Sequence, residues 1–171
     1  MKAADYSAVE TLRDGRRVQI RAQRPGDRDA IAAAFRRSSP ETIYRRFFGA
    51  RTSFTEKEVA FYLDVDFVQH VALVAELEEA GQKVVVGGGR YIVSPPGRAE
   101  IAFTVDDSHQ GLGIATRLLR HLVAIARAAG IKGFFAEVLP ENGPMLKVFE
   151  RSGLAVTTRR DAGVVHVTLV L

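Results

Sequence analysis

Asp106-Asp107-Ser108-His109-Gln110-Gly111-Leu112-Gly113-Ile114-Ala115 joins two stretches of different hydrophobic period, and the reading of the chain turns on it. Before it, Arg98-Ala99-Glu100-Ile101-Ala102-Phe103-Thr104-Val105 reads as a strand. After it, apolar residues recur at Ile114, Leu118, Leu122, Ile125 and Ala129, one stripe of an amphipathic helix, and Gly130 closes that helix as a C-cap. Gly111 and Gly113 let the chain turn tightly and let a ligand approach the backbone. The first amides of a helix lack intrahelical partners and carry partial positive charge, so such a junction suits a phosphate group. A plain strand-to-helix turn uses two glycines in the same way, and the junction alone leaves both readings open.

Working outward, Gly133 to Leu139 forms a short apolar strand. A strand, a long helix and a second strand in that order demand a parallel crossover. Upstream, His70 to Leu77 and Lys83 to Val93 read as antiparallel partners that complete a meander with 98–105. The three glycines Gly87, Gly88 and Gly89 predict a bulge or a close backbone approach. Earlier still, Arg17 to Ala22 alternates polar and apolar side chains, a half-buried strand. Asp27 N-caps a helix from Arg28 to about Arg37. Thr55 and Glu58 have capping-box spacing and open a helix to about Leu63. Downstream, Pro140 to Pro144 turns the chain, a helix runs from about Met145 to Ser152, and Val164 to Leu171 is a last strand. The expectation is an α+β fold with a mixed, mostly antiparallel sheet flanked by helices, formed by residues 1–171 as one domain.

Composition excludes several classes. The chain has 171 residues, 47% of them hydrophobic, enough for a core and too many for disorder. No apolar run approaches the roughly 20 residues of a membrane helix, since 112–129 carries Arg117, Arg120, His121 and Arg127. Met1 to Glu10 lacks a signal-peptide core, and a cytoplasmic location is expected. The chain has no cysteine, which removes disulfides, thiolate metal sites and cysteine nucleophiles. No two of His70, His109, His121 and His166 stand four residues apart, and no metal is expected. Residues 1–51 hold 12 basic and 6 acidic side chains. That surplus could draw an anionic partner or be a solvated surface. Without a stacking array or a reading helix, nucleic acid is not expected.

Gln110-x-x-Gly113-x-Ala115, between a strand and a long helix, resembles the pyrophosphate loop of the GNAT acetyltransferase superfamily. Glu141-Asn142-Gly143-Pro144-Met145 and Ser152-Gly153-Leu154 resemble that family's asparagine turn, last helix and terminal glycine. Three stretches are more specific: Ser39-Pro40-Glu41-Thr42-Ile43-Tyr44-Arg45-Arg46-Phe47-Phe48, Arg98 to Val105, and Glu137-Val138-Leu139-Pro140-Glu141-Asn142. They are similar to the catalytic domain of bacterial protein lysine acetyltransferases that modify acyl-CoA synthetases. The large synthetase-like or cyclic-nucleotide-binding region often fused to that domain does not fit in 171 residues.

The resemblance implies acetyl-CoA as cosubstrate. Amides of Gln110, Gly111, Leu112, Gly113, Ile114 and Ala115 would hold its pyrophosphate. The backbone of Phe103, Thr104 and Val105 would pair with its pantetheine arm, and Asn142 would bond near the pantetheine end. Arg117 or Arg120 would reach the adenosine phosphates or stand solvated on the helix. Glu100 matches the glutamate that takes the proton from the acceptor ammonium; an exposed glutamate paired with Arg98 or Arg90 is the alternative. Phe149 stands where many members have the tyrosine that protonates the leaving thiolate, and it has no proton to give. His109 reads as a surface residue rather than a base, and Tyr44 and Tyr62 have no assigned role. The acceptor amine is expected to enter near Tyr44, Arg45, Arg46 and Phe47, and an acyl-CoA synthetase lysine or a small amine would serve. A non-catalytic acyl-CoA-binding module is the reading from another class, and a homodimer is compatible with the sequence.

Overall fold

Val18 and Ile20 are fully buried and alternate with the polar Arg17 and Gln19, which makes Arg17–Ala22 (β2) a strand with one face in the core. The structure, a computed structural model, describes residues 2–37, 39–41, 46 and 55–171. Tyr44, Arg45 and Phe47, named above near the acceptor entrance, lie outside the described residues. Around β2 the strands are Ser7–Thr11 (β1), His70–Glu79 (β3), Gln82–Ser94 (β4), Arg98–Val105 (β5), Gly133–Val138 (β6), Ala155–Asp161 (β7) and Val164–Val170 (β8). The described residues form one eight-stranded sheet in the order β1-β2-β3-β4-β5-β6-β8-β7. Only β5 and β6 pair in parallel.

The helices are Arg28–Arg37 (α1), Glu56–Leu63 (α2), Ile114–Ala128 (α3) and Gly143–Glu150 (α4). Thr55 and Glu58 form the expected capping box on α2. The apolar stripe of α3, from Ile114 through Leu118 and Leu122 to Ile125, is buried across β3, β4 and β5. That stripe and the alternate residues Ala99, Ile101 and Phe103 of β5 belong to one continuous core.

Two strands were not legible in the sequence. β1 and β7 lie at the two ends of the sheet, short and mostly exposed, so neither shows an apolar alternation. A bulge, one of the two features expected of the glycine run of β4, lies at its edge. Ala75 pairs with Gly87 and Glu76 with Val85, which leaves Val86 as the extra residue of a bulge. Three residues further on, Gly89 gives the Phe103 ring its place.

One charged group sits deep in the fold. Arg21 is 5% exposed and bonds both oxygens of Asp27 at 2.7 and 2.9 Å, and Glu76 at 2.9 Å. This cluster ties β2 to β3 and to the start of α1. Burial works to raise the Asp27 carboxyl, but its bonds from Arg21 and the Arg24 amide hold it below its usual value.

Candidate active site

β5 and β6 pair over three positions and then part. Arg98, Ala99 and Glu100 stand opposite Gly133, Phe134 and Phe135. Beyond Glu100, β5 stays with β4 as far as Val105, while β6 stays with β8 as far as Val138. The Asp106 amide donates to Val86 O at 2.7 Å. Antiparallel pairing alternates, so the backbone groups of Thr104 and Ala102 also face β4, and those of Ile101, Phe103 and Val105 face the opening. Gln110 Nε2 meets Val105 O at 3.1 Å. Phe103 is left as a strand edge without a strand partner on that side.

A cavity of about 520 Å³ occupies the opening. Glu100 to Val105 form one wall, and Ala136, Glu137 and Val138 the other. Gln110, Gly111 and Gly113 to Thr116 close one end, with Asn142 and Phe149 from the α4 region. Gly111 and Gly113 take φ of 81° and 85°, a left-handed backbone that side chains disfavour. Gly113 N-caps α3 without a side chain, so no capping group covers the first amides of that helix. Of the sequence-expected loop residues, Leu112 alone does not line the cavity; its side chain packs against the core.

The loop is braced from behind. Asp106, 4% exposed, accepts from Ser108 N and Oγ and from Arg37 Nε at 2.8 Å. Arg37 also donates to Val85 O at 2.8 Å, so the end of α1 holds the bulge and the loop together. Burial opposes ionisation of Asp106, yet the bonds from Arg37 and Ser108 keep its carboxyl below the usual value. His109 corrects the surface assignment made from sequence. It is 6% exposed, its Nε2 donates to Glu79 Oε1, and it belongs to the loop's foundation. Its position between polar residues gave no sign of burial.

Asn142 lines the cavity and accepts the Met145 amide at 3.4 Å, capping α4 through Oδ1; its Nδ2 donates to no described residue. Phe149, 1% exposed, packs against Phe103 with ring centroids 6.2 Å apart. Glu100 is exposed at the point where the strands part. It forms no hydrogen bond or ion pair among the described residues. Arg98 is not its partner but lies over the Phe135 ring at 4.7 Å. Arg90 bonds His70, Gln23 Oε1 and Tyr62 O instead. Glu137, across the opening, is a second carboxylate in the cavity; it begins one of the stretches quoted for the resemblance, which gave it no role. Arg46 reaches the cavity as well, with its guanidinium 6.0 Å from the Tyr62 ring.

Arg117 and Arg120 both contact β1, and Arg120 stands on the exposed helix face, as one of the two sequence readings had it. Arg117 donates to Gly113 O at 3.0 Å and Thr11 O at 2.7 Å, and Arg120 pairs with Glu10 at 2.5 Å. Glu10 also accepts from His121, whose other ring nitrogen bonds the Tyr6 hydroxyl. β1, a strand the sequence did not announce, holds Arg117 against the fold, while Arg120 stays largely exposed beside Glu10.

A parted parallel pair, a glycine loop at a helix start and a carboxylate at the fork define a class. Residues 37–154 match the sequence model of the acetyltransferase (GNAT) family, and the chain belongs to that family of acyl-CoA-dependent acyltransferases. More particularly, it is 34% identical over 156 residues to acetyltransferase Pat of Mycolicibacterium smegmatis, covering 90% of this chain and 46% of Pat. The chain thus spans about half the length of that relative. An acetyltransferase of Pseudomonas aeruginosa is 36% identical over 129 residues, 75% of this chain and 69% of that protein. The solved GNAT domain of S. lividans PAT superposes with a TM-score of 0.87 at 35% identity, covering 96% of this chain and 97% of that one.

Proposed function

We propose that the protein moves an acetyl group from acetyl-CoA to the side-chain amine of a protein lysine, with Glu100 as general base, and that residues 1–171 act as one catalytic domain. The observation that carries this reading is the position of Glu100: exposed, without an ion pair among the described residues, on the cavity wall where β5 and β6 separate. A lysine ammonium cannot attack until it loses a proton, and a carboxylate beside the reacting centre takes it directly or through one water.

The surrounding residues fit the donor. Acetyl-CoA supplies the acyl thioester that the amine attacks. The amides from Gln110 to Ala115 would hold its pyrophosphate at the uncapped start of α3. Phe103 and Val105 would offer backbone bonds to the pantetheine arm, with Phe103 presenting the unpartnered edge; Thr104, expected to share this role, faces β4 with its backbone groups and lines the cavity without such a bond. Asn142 would donate from Nδ2. Phe149 offers no proton to a departing thiolate and instead walls the cavity; that proton would come from water or another residue, or the thiolate would leave unassisted. The resemblance of 39–48, 98–105 and 137–142 to bacterial protein lysine acetyltransferases supports a protein acceptor. Arg46 at the cavity favours an acidic surface around the target lysine, as an acyl-CoA synthetase could present.

The test is release of CoA thiol from acetyl-CoA with acyl-CoA synthetases and small amines as acceptors. Turnover with a synthetase, reduced by about 10²-fold or more in Glu100→Gln, is expected. Turnover confined to small amines would replace the protein acceptor with a metabolite. Full activity in Glu100→Gln would remove the base assignment.

A further inference from the structure

The turn between β1 and β2 reaches the loop end of the cavity. Arg13, on that turn, is exposed, lines the cavity beside Gly111 and Gly113, and donates from Nη1 to Gly111 O at 3.3 Å. Its Nε lies 3.6 Å from where a Cβ on Gly113 would stand. The neighbouring cations are neutralised or engaged. Arg16 pairs with Asp14 at 2.7 Å and approaches Glu79 at 3.4 Å. Arg120 pairs with Glu10, and Arg117 lies 3.9 Å from the same carboxylate while bonding two backbone carbonyls. Arg13 forms no ion pair with a described residue, and its Nε and Nη2 donate to none.

An arginine fork with two spare donor nitrogens, beside the end of a cavity whose loop suits a phosphate, matches the geometry of phosphate recognition. We infer that Arg13 binds the phosphates at the nucleotide end of the acyl donor. This contact comes from a turn outside residues 37–154, the span that the family's sequence model matches, and no motif in the loop encodes it. The inference rests on the reading of the cavity as the acyl-CoA site. It assigns to the β1–β2 hairpin the anion contact that the α3 arginines, held by β1, do not make.

Calorimetric titration of the full chain with CoA, dephospho-CoA, adenosine 3′,5′-bisphosphate and pantetheine tests it without an acceptor. Arg13→Gln is expected to weaken CoA and the bisphosphate by about tenfold or more, the loss of a hydrogen-bonded charge contact. Pantetheine, which carries no phosphate, should be unaffected, and Arg13→Lys should recover part of the loss. If the difference between wild type and Arg13→Gln disappears with dephospho-CoA, the 3′-phosphate is the partner; if it persists, the diphosphate is. Equal CoA affinity in wild type and Arg13→Gln would overturn the inference while leaving the site standing. An equal loss on pantetheine would overturn it too, because the loop itself would then have moved. A wild-type chain that binds no CoA would bring down the cavity assignment and this inference with it.

Discussion

The Phe103 ring lies against Gly89 so closely that a Cβ on the glycine would stand 2.7 Å from Phe103 Cδ1 and 3.1 Å from Leu122 Cδ1. Gly89 and Phe103 face each other across β4 and β5, and the absence of a side chain on one strand seats the ring of the other. Gly89→Ala forces that ring or Leu122 to shift. The expected destabilisation is about 1–3 kcal/mol, the usual result of overpacking, read from urea midpoints. Because Phe103 walls the cavity, CoA affinity should fall in the same variant, measured at a temperature where it remains folded.

Removing Asp27 leaves Arg21 buried with Glu76 as its remaining carboxylate. Asp27→Asn should cost about 3–5 kcal/mol, the range for breaking a buried pair from one side. The Asp27 carboxyl lies below its usual value in the folded chain. Its contribution is therefore complete above the unfolded-state value of about 3.9 and is lost as pH falls through the lower folded one. Between pH 5 and pH 2, wild type should lose more stability than Asp27→Asn. Parallel loss in the two proteins would show that the cluster does not govern acid unfolding.

His70 should give a second, separate pH response. It is 6% exposed, accepts from Arg90 Nη1 at 2.8 Å through Nε2 and stacks on Phe61. Burial, aided by the Arg90 charge and opposed by Asp66 and Asp64, lowers its imidazole from 6.5 to about 4. Between these values the unfolded chain holds the extra proton, so stability rises with pH across that window. It is complete above 6.5 and lost as pH drops toward about 4. Denaturation midpoints at pH 5 and pH 7 should differ in wild type, and the difference should shrink in His70→Gln, which keeps an acceptor for Arg90.

Legibility in the sequence followed the strength of local periodicity. α3 was readable because Ile114, Leu118 and Leu122 repeat on one face, and β5 and β6 because a parallel crossover must join them. The loop was readable from Gly111 and Gly113, whose left-handed backbone few other residues tolerate. β1 and β7 were not, since end strands with little burial carry no alternation. Missing β1 had consequences at the site: without it, Arg117 and Arg120 appeared free, and the approach of Arg13 to the loop had no scaffold. The burial of His109 was hidden as well, because it depends on Glu79, 30 positions away. Residues set by short-range chemistry were visible, and those set by which strand lies over which helix were not.

Among the described residues, the three pairs between β5 and β6 are all that stitches the five-stranded part of the sheet to the three-stranded part through strand pairing. Such a seam is mechanically the weakest line in the sheet. A molecule lying in the opening would continue it as an additional strand does, sharing load between two otherwise loosely coupled plates. Slowed amide hydrogen exchange at Phe103 and along β6 on adding CoA would be the signature of that splint. The gap that admits a ligand is also the joint whose stiffness the ligand sets.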